Sequence, residues 1–321
     1  MKNTKSQNHP DPLLNYRSKK SYLNFFTSRI QNLEKCNRLG TAHNYKRALS
    51  SLKSYIGEKD ILFRDIDEKF VAGYYEWLTC RGVLRNSISF YLRILRAVYN
   101  KGIAGGYGRQ RNPFASFFTG VDKTRKRAVS IDLVKQIKSL DIQPASCLDM
   151  ARDIFLFSFY TRGMAFVDIA YLRKCDIVGE SIRYERQKTG RQLILTLEEE
   201  AEKIIKKYAD KTKDSLYLFP ILHSLDDAGS YKEYRKALSC YNYRLRCLSR
   251  LLGKGIRLTS YTSRHTWATV AMDLDIPMTV ISEALGHTTE RTTRIYLDSL
   301  SPCKTDSANR KILDALNAPT R

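Results

Sequence analysis

Apolar residues recur at three- and four-residue intervals along most of this chain, and the interval drops to two in one short stretch, Ile182 to Leu197. Spacing of three and four lines side chains up on one face of a helix, whereas spacing of two sends them to opposite faces of a strand. The chain is therefore predicted to be mainly α, with a small antiparallel sheet let into a helical scaffold. Tyr22 to Leu33 reads as a first helix. Thr41 is placed to cap a second, with the stripe Tyr45, Leu49, Leu52 and Ile56; Asp67 a third, with Phe70, Val71, Tyr74, Trp77 and Leu78; and Ser87 a fourth, with Ile88, Tyr91, Leu92, Leu95, Val98 and Tyr99. These make a helical unit over residues 20–118. A second unit, 129–300, opens on a helix capped by Ser130 and continues with the apolar helix Asp149 to Tyr160 and a short one from Ala165 to Leu172. In the period-two stretch Ile182, Tyr184 and Arg186 alternate with Arg183, Glu185 and Gln187. Lys188-Thr189-Gly190 then makes a turn into the returning strand Gln192 to Leu197, which is a β-hairpin with Lys188 at its tip. Helical spacing resumes over 198–208, 232–252, 260–274, 279–285 and 289–297.

Charge divides the same way. The 321 residues hold 55 Lys+Arg against 33 Asp+Glu, a formal charge of +22. Residues 1–127 carry 25 basic and 9 acidic side chains, the remainder 30 and 24. A field of that size attracts a polyanion, of which nucleic acid is the commonest. No 18-residue apolar run supports membrane insertion. Lys46, Arg47, Arg85, Arg93 and Arg96 lie on the outer faces of the first unit's helices and are its candidate phosphate contacts. Residues 119–128 read as an interdomain linker, whose Arg125, Lys126 and Arg127 would lie against a duplex crossing it. Residues 1–19 are polar and basic, an expected mobile arm. Seven scattered Cys form no CxxC pair, which argues against structural zinc and for reduced thiols in a cytoplasm.

One group of residues carries chemistry. Arg264-His265-Thr266-Trp267-Ala268 is followed by Leu285-Gly286-His287, and Tyr296 stands nine residues beyond that His. Opening a phosphodiester without a metal requires a nucleophile, cations around the phosphorus, a proton donor for the leaving oxygen, and their proximity. A phenol, a planar guanidinium, an imidazole and a lysine on a hairpin are the residue types that supply these. Taken singly each has a plainer reading: most of the 20 Tyr pack, Gly286 suits a helix stop, and Arg264 would be a surface charge. Their fixed order is what weighs against those readings.

That order resembles the tyrosine recombinases, the phage integrase family. Residues 129–300 resemble their catalytic domain, and 20–118, less distinctively, their helical core-binding, SAM-like domain. The resemblance implies that Tyr296 attacks the scissile phosphate to form a 3′-phosphotyrosine link, that Arg264 clamps the non-bridging oxygens, that His287 hydrogen-bonds the phosphate, and that Lys188 protonates the leaving 5′-oxygen. It implies no cofactor, ATP or metal. Two positions depart from the pattern. Tyr261 stands where the family usually has His; its ordinary pKa near 10 makes it a poor base, though it can hydrogen-bond a phosphate. Ala165 stands where the family's first Arg would fall, three residues before Asp168 and seven before Leu172. Arg162 is the expected displaced first Arg, reaching the phosphate from one turn away if a continuous helix carries both positions, or delivered by a loop if the helix begins only at 165. Arg173 is the fallback, and Asp168 is read as the partner of an Arg or as a cap.

The implied partner is double-stranded DNA with specific sites, bound by a homotetramer across two sites, with residues 301–321 (apolar face Ile312, Leu313 and Leu316) docking on a neighbour. An accessory DNA-bending protein is a further candidate partner, and the implied location is cytoplasmic, on a bacterial nucleoid. Two rivals stay open on sequence alone: a site-specific DNA-binding protein that has lost cleavage, and an enzyme of the type IB topoisomerase kind. Covalent capture of DNA separates the first, and relaxation of plasmids lacking a specific site the second.

Overall fold

A computed structural model describes residues 20–57, 59–122, 128–253, 255–287, 289 and 293. The chain divides into two compact units, Met1–Lys123 and Thr124–Arg321. It is mostly helical, with one small antiparallel sheet in the second unit.

The first unit contains α1 (Tyr22–Lys35), α2 (Leu39–Ile56), α3 (Glu68–Cys80) and α4 (Arg85–Ala104). Tyr22, Phe26, Ile30 and Leu33 recur at helical spacing and are buried against Leu49, Leu52, Tyr74, Leu92 and Leu95 from the other three helices. Asp67 caps α3 through the Phe70 N–H, as expected. Thr41 and Ser87 do not cap. The turn after α1 closes at left-handed Asn37, with the Arg38 N–H on Leu33 O, and feeds the chain into α2 two residues ahead of Thr41. Gly82 closes α3 in the same way, so α4 starts at Arg85. The expected linker begins inside this unit. Arg96 donates to Thr119, Ser89 to Gly120 O, and Asn86 exchanges two hydrogen bonds with Asp122, which sews 119–122 onto α4.

The second unit is built around α6 (Cys147–Tyr160), whose Ile154, Phe155 and Phe157 are at most 1% exposed. Around it lie α5 (Ile131–Ser139), α7 (Phe166–Tyr171), α8 (Glu199–Tyr208), α9 (Asp227–Leu252), α10 (Thr262–Asp273) and α11 (Met278–Ala284). Ser130 and Ser146 cap α5 and α6. The sheet has three strands rather than the two of the expected hairpin: β1 (Ile177–Val178), β2 (Ser181–Glu185) and β3 (Gln192–Thr196), in that order and antiparallel. Ile182 faces Leu195 and Tyr184 faces Leu193 across β2–β3. The helix expected over 289–297 falls almost wholly outside the described residues.

α6 is held to α8 by ions as well as by apolar packing. Lys207 Nζ lies 2.8 Å from Asp149 and 2.6 Å from Asp153, both buried, and the Tyr208 hydroxyl donates to Asp153 at 2.8 Å. Burial alone would raise the Asp149 carboxyl. The Lys207 ammonium, the Ala145 N–H and the Arg152 charge outweigh it and hold Asp149 below the usual carboxylate range. Removing Lys207 leaves the two buried carboxylates with Arg152 as their shared cation. Lys207→Met is therefore expected to lower unfolding free energy by about 2 kcal/mol, discounted from a fully buried pair because Lys207 is itself partly exposed; the urea midpoint measures it.

Candidate active site

Arg264 sits in the first turn of α10 and is 2% exposed. The helix can bring a guanidinium this deep because its buried face is made of small side chains: Thr262, Ser263, Thr266, Ala268 and Ala271. Ser263 Oγ bonds Phe155 O of α6 at 3.0 Å, and Thr266 Oγ1 accepts the Val129 N–H. The guanidinium donates to Gly163 O at 2.7 Å, to Leu285 O, and to His287 Nε2 at 3.2 Å.

His287 follows the tight end of α11. Gly286 is left-handed (φ 62°), and a side chain there would run into Arg186 Cδ and Leu193 Cδ1, both 2.8 Å from where its Cβ would stand. The imidazole is 7% exposed and its Nδ1 lies 2.8 Å from Thr293 Oγ1. Burial first, then the charges of Arg264, Arg186 and Lys188, push the His287 pKa down to about 3. The ring is thus neutral near neutral pH. A guanidinium can only donate, so Nε2 accepts from Arg264 and the ring proton sits on Nδ1, directed at Thr293.

The hairpin closes the third side. Arg186 continues the inward phase of Ile182 and Tyr184 and is 6% exposed. It donates to Gly286 O at 2.7 Å and lies 3.7 Å from Asp168, which also accepts the Gln187 N–H at 2.9 Å. Burial raises the Asp168 carboxyl despite that N–H and the charges of Arg186 and Arg264. Arg191, on the other side of the turn, donates to His287 O at 2.8 Å. Lys188 is exposed at the tip, near enough for its charge to act on His287.

The remaining expected residues fall as follows. Arg162 is not on a helix continuous with 165. α6 ends at Tyr160 and α7 starts at Phe166, and Arg162 lies between them in a left-handed turn (φ 57°) with Gly163 (φ 73°). The turn is a helix stop, with the Gly163 N–H on Ser158 O. The loop therefore carries Arg162. Its side chain lines a groove of about 340 Å³ with Arg191, Leu193, Val280 and Glu283, and its charge acts on buried Tyr184 together with those of Arg264 and Arg186. Arg173 is exposed and its described contacts run elsewhere, to Asp176 and Tyr217. Asp168 partners Arg186, an arginine that sequence reasoning had not singled out, although a charge in the buried phase of a strand was the visible signal. Tyr261 is 37% exposed at the N-terminus of α10, its ring 6.2 Å from that of His265. Tyr296 and residues 301–321 lie outside the described residues, as do Arg125, Lys126 and Arg127. In the first unit Arg47 is exposed and Lys46 pairs with Glu34. Arg85 lies over the Phe118 ring and 3.6 Å from Asp122, and Arg96 bonds Thr119. Arg93 is half-buried. Arg85 and Arg96 thus have partners of their own in the 118–122 segment. Among the described residues no cluster of His, Cys, Asp or Glu is arranged to hold a metal, and no helix is long and apolar enough to cross a membrane.

Residues 21–119 match the phage integrase SAM-like domain and residues 132–301 the phage integrase family. Tyrosine recombinase XerD of Rickettsia bellii is 22% identical over 278 residues, covering 79% of this chain and 86% of XerD. Tyrosine recombinase XerA of Pyrococcus furiosus is 25% identical over 230 residues, 68% of this chain and 72% of XerA. Among solved structures, lambda integrase as a dimer bound to a COC′ core site superposes with a TM-score of 0.60 at 16% identity, over 91% of this chain and 82% of that one. The Tn1549 transposon integrase with transposon right end DNA superposes with 0.62 at 14% identity, over 93% and 100%.

Two outcomes follow for the site. The folded-state pKa of His287 lies below the unfolded value of about 6.5, so on acidification the unfolded chain takes the proton first. The stability this confers is complete above pH 6.5 and is lost as pH falls toward 3. Thermal melts should show this slope in the wild type, and a flatter one in His287→Gln. Gly163→Ala puts a Cβ 2.9 Å from the Arg264 Cα in a left-handed residue. It should cost about 1 kcal/mol from the backbone alone, more from the clash, and the melting temperature reads the sum.

Proposed function

The chain belongs to the phage integrase family, and on that premise we propose that it is a site-specific DNA recombinase acting through Tyr296. The observation that carries the reading is the convergence of Arg264 and His287, 3.2 Å apart, with the lysine-tipped hairpin beside them. A phosphate entering between Arg264 and His287 would take the fixed guanidinium in place of His287 Nε2, and the imidazole would donate to it as the tautomer protonated on Nε2. Arg162, delivered by the loop after α6, adds a second guanidinium. Tyr261, at the start of α10, is a hydrogen-bonding group for the same phosphate.

In the proposed step the Tyr296 oxygen gives up its proton to water and bonds to phosphorus, and the bond from phosphorus to the 5′-oxygen breaks. Lys188 gives that oxygen a proton, which leaves a 3′-phosphotyrosine and a free 5′-hydroxyl. Attack by a 5′-hydroxyl from a partner duplex reverses the step and rejoins the strand. Bond energy is kept in the phosphotyrosine, so the exchange draws on no ATP. The lambda and Tn1549 integrases were solved on DNA, and one lambda structure is a tetramer bound to a Holliday junction. By analogy this chain would work as a tetramer on two sites, with 301–321 reaching a neighbour. The basic side chains of residues 1–127, Arg47 among them, would supply affinity for the DNA backbone. Integration, excision and inversion all use this chemistry.

A duplex selected by the wild-type chain from a random-sequence pool, nicked so that the cleaved strand escapes, tests the proposal. The wild type should form a covalent adduct on a denaturing gel. Tyr296→Phe should bind the duplex equally and form none. Arg162→Ala should lose roughly a hundredfold or more in adduct formation, on the scale of removing a phosphate-clamping donor, and Arg173→Ala little. No wild-type adduct on a verified site would make this a DNA-binding protein without cleavage, and the reverse ranking would move the second guanidinium to Arg173.

A further inference from the structure

The two arginines that bracket the hairpin turn have no part in the step above, yet both are committed to the same short piece of backbone. Arg186 follows the last paired position of β2, Glu185, and donates to Gly286 O at 2.7 Å; Arg191 precedes β3 and donates to His287 O at 2.8 Å. The four residues between them, Gln187 to Gly190, form a turn closed by the Arg186 N–H on Arg191 O and by the Thr189 and Gly190 N–H groups on Arg186 O. On the α7 side, Asp168 holds Arg186 across 3.7 Å and the Gln187 N–H at 2.9 Å. Lys188, like the other residues of this turn, is exposed.

We propose that Arg186 and Arg191, with Asp168, form a brace that positions Lys188 for proton transfer by pinning both stems of its turn to the Gly286–His287 backbone. The supports are unequal, and this gives the brace its direction. The corner is anchored without it: the Gly286 N–H bonds Glu283 O and the His287 N–H bonds Ser282 O, while the imidazole is held at Arg264 and Thr293. The turn's only ties to the rest of the unit among its described contacts are the Asp168 and arginine bonds. Cutting one therefore releases the lysine and leaves the imidazole and Arg264 in place. The charge of Lys188 already registers at His287, as it must if the ammonium is kept on that side. A lysine on a free four-residue turn would spread its donors over many rotamers, and an acid misplaced by about an ångström forfeits much of its effect. In this proposal Arg186 and Arg191 are positioning residues, each giving one donor to the Gly286–His287 backbone.

The inference rests on Lys188 being the acid, so the test carries that premise as a separate arm. The selected nicked duplex is made in two forms, with oxygen or with sulfur as the bridging 5′ atom of the scissile phosphate. A thiolate leaves without a proton, because a thiol's pKa, about 8.5 in cysteine, lies far below an alcohol's. Lys188→Ala should cut the oxygen form slowly and the sulfur form at close to the wild-type rate. Arg191→Met, at a half-exposed position where folding is safe, should bind both duplexes as the wild type does. It should lose roughly ten- to hundredfold on oxygen, within the range general-acid catalysis supplies, and recover on sulfur. Arg186→Lys, which keeps the charge opposite Asp168, should show the same pattern. If Lys188→Ala recovers on sulfur and Arg191→Met and Arg186→Lys are slow on both forms, or fast on both, the brace is refuted while the acid stands. If Lys188→Ala fails to recover on sulfur, the acid assignment falls and the brace with it.

Discussion

A guanidinium keeps its charge at any pH a folded protein meets, so burying one obliges the fold to bring oxygen to it. Arg264 imposes that obligation on the second unit. Its donors end on Gly163 O, just past the end of α6, and on Leu285 O, at the end of α11. The last carbonyls of a helix lack partners of their own and carry the negative end of its dipole. One helix end and the turn that follows another are thus spent on one cation. The Gly286 and His287 carbonyls, next along the chain, are spent on two more, Arg186 and Arg191. The hairpin, α10, α11 and the turn after α6 meet where they do because each either brings a positive charge or the oxygen that settles it.

The same arrangement explains the state of His287. Three cations surround a buried imidazole, and a proton on it would be a fourth positive charge out of water. The ring stays neutral and uses its lone pair on Arg264. Cationic character in the pocket is supplied by the guanidinium and ammonium groups, while the imidazole, pushed well below its ordinary value, has been withdrawn from that role.

Much of this was legible in the sequence, and the reasons are local. Tyr22, Phe26, Ile30 and Leu33, or Ile182 against Leu195, announce themselves because burial and backbone period coincide. The motif at 264–268 and the Leu-Gly-His corner were legible by their order along the chain, and the structure brings Arg264 to His287. What escaped was set by tertiary context. Thr41 and Ser87 look like caps, but preceding turns at Asn37 and Gly82 start the helices earlier. β1 is two residues long, too short to show a period. Arg186 sat in view at an inward-facing strand position, but a buried charge reads as an error in the pattern until Asp168 and Gly286 O appear beside it. Whether a helix or a loop carries Arg162 stayed open because nothing in Tyr160-Thr161-Arg162 decides it; left-handed Arg162 and Gly163 settle it for the loop.

That stop has a cost of its own. An arginine in left-handed conformation is about 1 kcal/mol worse off than glycine would be, and Arg162 accepts it with Gly163 immediately following. Directed evolution for heat resistance alone would therefore trade this side chain for glycine or asparagine and report an improvement. On the role proposed for Arg162, only a selection gated on turnover would retain the arginine, so a hardened variant of this chain would owe its quality as an enzyme to how it was screened.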